Sequence, residues 1–361
     1  MKTKTVLTKM NPYKPGKQIE EVKKEYNLER IVKLASNENP FGFSGEVRSK
    51  LPEAIDQLEY YPDGYAREIR EELASFYDVD EKQLIFGNGS DEVVQILCRA
   101  FLEEGSNTVM ATPTFPQYKH NALIEGAEVR EVPLTQGGHH DIETMLQTVD
   151  EKTRILWLCS PNNPTGVLMD KKTIDRVIEV CPDDVLIVMD EAYYEYADES
   201  RRYPSVEAVQ NHKNVVVLRT FSKAYGLAGL RIGYGIADEA LISAMEPARE
   251  PFNTSVIAQK AAVLALQDQS FLHRTVEETK KNKQDFMEFC EEIGIGYDQS
   301  EANFVLVHLP ISGDDMFEFL LTKGFIVRSG EALGLPNSIR LTIGSEEDMN
   351  EIKEYMREKL T

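Results

Sequence analysis

The sequence predicts an α/β protein, with a large domain on a mostly parallel sheet covered by helices on both faces and a smaller α+β domain after it. Three observations carry this. Seven short apolar runs alternate with amphipathic segments, the pattern of strands joined by crossover helices: Leu84–Phe86, Asn107–Ala111, Glu128–Val132, Ile155–Cys159, Val185–Asp190, Val215–Arg219 and Ile232–Ala237. The residues with the most evident chemistry fall in turns after these runs, where open α/β sheets bind ligands. Past Pro247 and Pro251 the order changes to a long amphipathic stretch and then a mixed strand and helix tail.

In chain order, residues 17–27 read as a short helix with Ile19, Val22 and Tyr26 on one face. The seven runs and the helical patterns between them follow. Ser255 to Glu292 is free of proline and keeps helical periodicity, so it reads as a helical passage from the large domain into the small one. The tail alternates Asn303–Leu309, Asp315–Lys323, Ile326–Arg328, Ser338–Ile343 and Glu346–Lys359. These elements divide the chain into an N-terminal segment (1–35), a large domain (36–250) and a small domain (251–361).

A chain of 361 residues can bury a large core and form two domains. Its net charge of −21 argues against nucleic acid and anionic membrane surfaces as partners. Cys98, Cys159, Cys181 and Cys290 are widely spaced, so neither a disulfide framework nor a metal site is expected. Reduced thiols and an N-terminus without a following apolar run point to the cytoplasm.

The most informative stretch is Ser222-Lys223-Ala224-Tyr225-Gly226-Leu227-Ala228-Gly229-Leu230-Arg231. A lysine at the end of a buried strand is placed to lose solvent, which lowers its proton affinity and makes the amine a nucleophile toward carbonyls. Ser222 and Arg231 beside it can bind phosphate. Upstream, the run Val185 to Met189 ends in Asp190, a carboxylate that is costly there without a cationic partner. Tyr193 follows three residues later. Ser160-Pro161-Asn162-Asn163-Pro164-Thr165-Gly166 is a tight turn that can aim the Asn163 amide at an oxygen. Gly87-Asn88-Gly89-Ser90-Asp91-Glu92 precedes a helical pattern and presents backbone N–H groups to an anion. A nucleophilic lysine, phosphate anchors and a carboxylate for a ring nitrogen are what pyridoxal 5′-phosphate (PLP) requires.

These segments, in this order, resemble the fold-type I PLP enzymes, within them the class I/II aminotransferases, and most closely the histidinol-phosphate aminotransferase group. The resemblance runs from Asn11-Pro12-Tyr13 and Leu34-Ala35-Ser36-Asn37-Glu38-Asn39-Pro40, through Tyr60-Tyr61-Pro62-Asp63-Gly64 and the segments above, to Val327-Arg328-Ser329-Gly330 and Ile339-Arg340-Leu341-Thr342-Ile343-Gly344. It implies the PLP-dependent transferase fold, with the N-terminal segment packed on the small domain. It implies that Lys223 carries the cofactor and shuttles a proton, that Asp190 pairs with the pyridine nitrogen, and that Tyr193 and Asn163 hold the phenolic oxygen. Phe115 is then placed to stack on the ring, and Gly89, Ser90, Asp91, Ser222 and Arg231 surround the phosphate. Tyr61 matches the position that reaches the neighbouring subunit's cofactor, which implies a homodimer with composite sites. Tyr13, Asn39, Arg328 and Arg340 match substrate-pocket positions. The small-molecule partners implied are an amino donor, L-histidinol phosphate, and an acceptor, 2-oxoglutarate.

Other readings are weaker. Gly87–Glu92 lacks the third glycine of a dinucleotide fingerprint, and no phosphate-loop motif occurs. His139-His140 reads as a polar turn. Ser160 and Ser222 have no His/Asp pattern for acyl transfer. A PLP-fold DNA-binding regulator would need an additional domain before Tyr13. Threonine-phosphate decarboxylation and broad aromatic or aspartate transamination remain alternatives that these motifs do not separate.

Overall fold

Thirteen strands and their intervening helices are seen in the computed structural model, which describes residues 2–10 and 17–360. They are β1 (Val32–Lys33), β2 (Leu84–Gly87), β3 (Asn107–Thr112), β4 (Glu128–Pro133), β5 (Thr153–Cys159), β6 (Leu186–Asp190), β7 (Val215–Thr220), β8 (Gly233–Ala237), β9 (Gly296–Tyr297), β10 (Phe304–His308), β11 (Phe325–Ile326), β12 (Arg328–Ser329) and β13 (Ser338–Thr342). The seven apolar runs all become strands of one sheet, ordered β2-β8-β7-β6-β5-β3-β4. It is mixed rather than wholly parallel: β8 runs antiparallel to both β2 and β7, while β3 to β7 pair in parallel.

Side chains from the two faces of this sheet enter two separate apolar cores. One includes Leu156, Leu158, Ile187, Met189, Val215 and Val217; the other includes Ile155, Trp157, Val188, Val216 and Leu218. Adjacent residues of one strand entering different cores is the period-2 signature of a sheet covered on both faces. At about 25 cal/mol per Å² of apolar surface, these buried apolar side chains are the main stabilising term.

A four-stranded antiparallel sheet, β12-β13-β10-β9, forms the second layer system, with its own core of Val305, Val307, Ile339, Leu341, Ile352 and Phe286. The helix Ile19–Tyr26 joins this side: Val22 is buried, Tyr26 donates to Glu318, and β1 pairs with β11. Ile19, expected on the buried face, is 37% exposed. The first turn of the chain departs from the expected arrangement. Residues Thr5–Lys9 lie against the helix Gln117–Glu125 of the large sheet, and Lys4 donates to the Ile124 carbonyl.

Two further elements differ from their sequence reading. The stretch from Ser255 to Glu292 is two helices, Val256–Gln267 and Gln269–Glu292, because Asp268 leaves helical geometry and accepts from the Phe271 N–H to start the second. Ile326–Arg328 is not one strand: β11 pairs with β1 and β12 with β13, so the chain changes sheets at Val327.

Candidate functional site

The carboxyl ends of β5, β6 and β7 lie side by side, with Cys159 opposite Asp190 and Asp190 opposite Leu218. The loops that leave them, together with the β2 turn, the Asn37 segment and β13, supply the site.

At one end, β6 delivers Asp190 into the interior, 3% exposed. Burial raises its carboxyl to about 6, against the lowering effect of Tyr118 and the Ala192 N–H. Tyr118 donates to Oδ2 at 2.5 Å and Ala192 N–H to Oδ1 at 3.2 Å. Among the described residues no cation pairs with this carboxylate, so it is left without the charge partner that buried acids ordinarily have. Tyr118 is itself fixed by stacking on Trp157, with ring centroids 4.5 Å apart. Phe115 packs edge-on against Tyr118 at the mouth of this corner.

Lys223 follows β7. Its Nζ donates to the Ser36 carbonyl at 3.1 Å and lies 5.6 Å from the centre of the Tyr193 ring. The side chain retains some exposure, yet the protein packed around it, and then the charge of Arg340, push the amine down to about 8. Tyr193 is buried, and its hydroxyl accepts from Asn37 Nδ2 at 2.9 Å.

The opposite end is an anion cradle. The helix Ser90–Phe101 starts after Gly89 without a side-chain cap, so its first N–H groups are free to receive an anion. Gly89 has φ +73°, a conformation that strains any residue with a side chain, and a Cβ there would also press on the end of Arg231, 2.6 Å away. Arg231 reaches Ser222 Oγ at 3.3 Å and Asp91 Oδ2 at 3.3 Å. Asp91 orients the guanidinium beside the helix start.

Two arginines complete the site from the small sheet. Arg328 on β12 and Arg340 on β13 are directly opposed in an antiparallel pair. Like charges in this register repel. Arg340 donates to Asn163 Oδ1 at 2.6 Å and to the Ala35 carbonyl at 2.7 Å. Arg328 is half-buried and takes no hydrogen bond or ion pair from the described residues.

The structure thus gathers Lys223, Asp190, Tyr193, Asn163, Phe115, Gly89, Ser90, Asp91, Ser222, Arg231 and Arg340 around one cleft. Arg328 stands opposite Arg340 in the small sheet, and the contacts of Asn39 and Tyr61 lie within the chain. Asn39 spends its amide on the Ala224 carbonyl and the Phe41 N–H, both at 2.9 Å, and so fixes the strand-to-loop segment beside Lys223. Tyr61 is 82% exposed and stacks on Phe252. Tyr13 lies outside the described residues. Sequence reasoning passed over Asn37, Tyr118 and Ser36. Asn37 stands in the quoted Asn37-Glu38-Asn39 segment, and its left-handed φ of 57° is the kind of strain that marks a site. Nothing in the sequence separates Tyr118 from an ordinary core tyrosine.

His140, read as part of a polar turn, is instead turned inward: its two ring nitrogens are buried, and burial lowers its pKa to about 4 against the raising effect of nearby Asn162. Among the described residues no group of His, Cys, Asp and Glu could hold a metal ion. No described helix is long and apolar enough to cross a membrane.

The chain is similar to known proteins along its length. The chain is 57% identical to a histidinol-phosphate aminotransferase of Anoxybacillus flavithermus, over 96% of this chain and 93% of that protein. It is 51% identical to the histidinol-phosphate aminotransferase of Bacillus subtilis over the full length of both. Its fold superposes on a histidinol-phosphate aminotransferase from Sinorhizobium meliloti, solved in complex with pyridoxal-5′-phosphate, with a TM-score of 0.89 at 24% identity, covering 99% of this chain and 98% of that one. Residues 29–355 match the family described as aminotransferase class I and II. With the match spanning both sheets and every loop of the cleft, the chain belongs to the class I and II aminotransferases.

Proposed function

We propose that this protein transfers the amino group of L-histidinol phosphate to 2-oxoglutarate, giving imidazole acetol phosphate and L-glutamate, with PLP as cofactor. The observation that carries the substrate class is the opposed pair Arg328 and Arg340. Two guanidinium groups in one register, one of them unpaired among the described residues, call for anions. A donor with a phosphate and an acceptor with carboxylates supply them in turn. The histidinol-phosphate aminotransferases similar to this chain support the same choice.

The cleft fits PLP at three points. Asp190 is a buried carboxylate lacking a cation, as a protonated ring nitrogen requires. Lys223 has an amine of lowered proton affinity, as covalent attachment requires. The uncapped helix start with Ser222 and Arg231 suits the phosphate. When bound, PLP supplies a carbonyl that captures the substrate amine and a ring that withdraws electrons from the neighbouring carbon.

The protein's own groups do the rest. Asp190 holds the proton on the ring nitrogen, and Tyr118 holds Asp190 in place. Lys223 Nζ removes the proton from the amine-bearing carbon of the donor and returns one in the second half of the cycle. Tyr193, held by Asn37, and Asn163, held by Arg340, would hold the cofactor's phenolic oxygen, and Phe115 would stack on its ring. Because Asn163 is bound to Arg340, the residue that binds the substrate anion also orients a cofactor contact.

Losing a charged hydrogen bond to phosphate should cost the donor about tenfold to a hundredfold in kcat/KM. Arg328→Ala is therefore expected to impair L-histidinol phosphate by that factor while sparing an unphosphorylated aromatic amino acid. Arg340→Ala should impair glutamate as well. Steady-state kinetics with the three donors check this; equal losses for all donors in both variants would contradict the division of labour.

We also assign a homodimer with composite sites. Ile55, Leu58, Tyr60, Tyr61, Tyr65 and Phe252 are all at least 47% exposed. Exposed apolar side chains of this kind mark an interaction surface, and Tyr61 keeps most of its area open to solvent while stacking on Phe252. Sedimentation velocity should give a dimer under assay conditions, and Tyr61→Asp should yield an inactive monomer. A fully active monomer would refute shared sites. The four cysteines are free and buried, which suits a reducing compartment, and we place the protein in the cytoplasm.

A further inference from the structure

Outside the cleft, the structure contains a cavity of about 670 Å³, a size typical of small-molecule sites. Tyr77, Tyr194, Tyr225, Leu272 and His273 form its walls, and Glu195 lies in its lining. Glu195 is 7% exposed, and its carboxylate takes no ion pair or donor from another residue among those described. The nearby cations are already committed. Arg219 bonds Glu191 Oε2 at 2.8 and 3.0 Å and Tyr77 Oη at 3.0 Å, and its guanidinium lies 3.4 Å from the centre of the Tyr194 ring. Arg202 donates to the carbonyls of Ala197 and Glu195 and lies 3.5 Å from Glu199. Burial raises the Glu195 carboxyl to about 7, with Arg219 offsetting only part of the cost.

From this we infer that the cavity binds a small organic cation with an aromatic body. A cation would give the Glu195 carboxylate the partner it lacks, and the rings of Tyr77 and Tyr225 with Leu272 line the space for its aromatic body, the Tyr194 ring being already covered by Arg219 and Arg202. An anionic ligand would meet Glu195, Glu199 and Glu207, all in the lining, and a neutral one would leave the buried carboxylate unpaired. Tyr225 stands two residues after Lys223 and Tyr194 directly after Tyr193, so an occupant would touch the loops that carry the catalytic groups without entering the cleft.

The test uses the purified holoenzyme and benzyltrimethylammonium, a cation with no amine hydrogen and therefore unable to react in the cleft. Isothermal titration calorimetry should give one site per chain. Benzyl alcohol and benzoate should bind at least about tenfold more weakly, the ratio expected when a charged contact is lost. Glu195→Gln should weaken the cation by a similar factor. Because that substitution touches a buried group, His273→Trp provides an independent check: His273 is exposed at the rim, so the variant should fold and fill the cavity, abolishing binding. Equal binding of cation and alcohol, or unchanged cation affinity in either folded variant, would overturn the assignment.

Discussion

Lys223→Ala is expected to lower transamination by at least about 10⁴-fold, because one substitution removes both the covalent attachment point and the group that moves the substrate proton. The loss should appear in single-turnover rates with saturating donor, and borohydride reduction of the wild type should fix the cofactor to the peptide containing Lys223. The lowered proton affinity makes a second statement about the same residue. Below about 8 the amine is protonated and inert, so capture of added PLP by cofactor-free protein should speed up as pH rises toward 8 and level off above it. A capture rate independent of pH between 6 and 9, or a Lys223→Ala protein with normal turnover, would remove Lys223 from its assigned role.

Asp190→Asn should slow the half-reaction by about a hundredfold to a thousandfold, since a neutral amide cannot hold the ring nitrogen protonated and the developing charge loses its stabilisation. The effect belongs in the chemical step, with little change in donor affinity. The same substitution should act in the opposite direction on stability. The folded carboxyl has a pKa of about 6, above its unfolded value of 3.8, so ionisation costs the fold increasingly as pH rises between these values, and the full cost is present above the folded value. Cofactor-free Asp190→Asn should therefore be more stable than the wild type at pH 7 by about 1–3 kcal/mol, with the gap closing as pH falls from about 6 toward 4. Adding PLP should stabilise the wild type more than the variant. Thermal denaturation with and without cofactor checks the sign, and a variant that is less stable at pH 7 while reacting at the wild-type rate would contradict both parts.

Much of this was legible in the sequence because the large sheet is buried on both faces. Strands in that position need continuous apolar runs, and the seven runs could be read directly. The residues at their carboxyl ends, Asp190, Lys223 and Asn163, were legible for a related reason: polar groups interrupting such runs need a partner. What could not be read depends on long-range pairing. The opposition of Arg328 and Arg340 follows from the register of β12 on β13, which no local pattern encodes. The change of sheet at Val327 has no turn residue to announce it. Asp268 breaks a helical pattern without proline or glycine, because capping the next helix and accepting from Ser44 at 2.6 Å outweigh continuation. Asn39 carries a substrate-site expectation from its neighbours in the sequence, and the fold adds that its amide is engaged by the Ala224 carbonyl and the Phe41 N–H. Tyr118 belongs with Asp190 only through the fold, 72 residues away along the chain.

The most direct test of the substrate assignment is a single-turnover experiment on the purified, PLP-loaded protein, following the cofactor absorbance after mixing with L-histidinol phosphate, L-histidinol, L-phenylalanine, L-aspartate or L-threonine phosphate. The two-arginine site predicts rapid and complete conversion with L-histidinol phosphate, reversed by 2-oxoglutarate with release of glutamate. Histidinol should be slower by about tenfold or more for want of its phosphate contacts. An unchanged spectrum with L-histidinol phosphate, accompanied by release of carbon dioxide from L-threonine phosphate or by faster conversion with L-phenylalanine or L-aspartate, would contradict it.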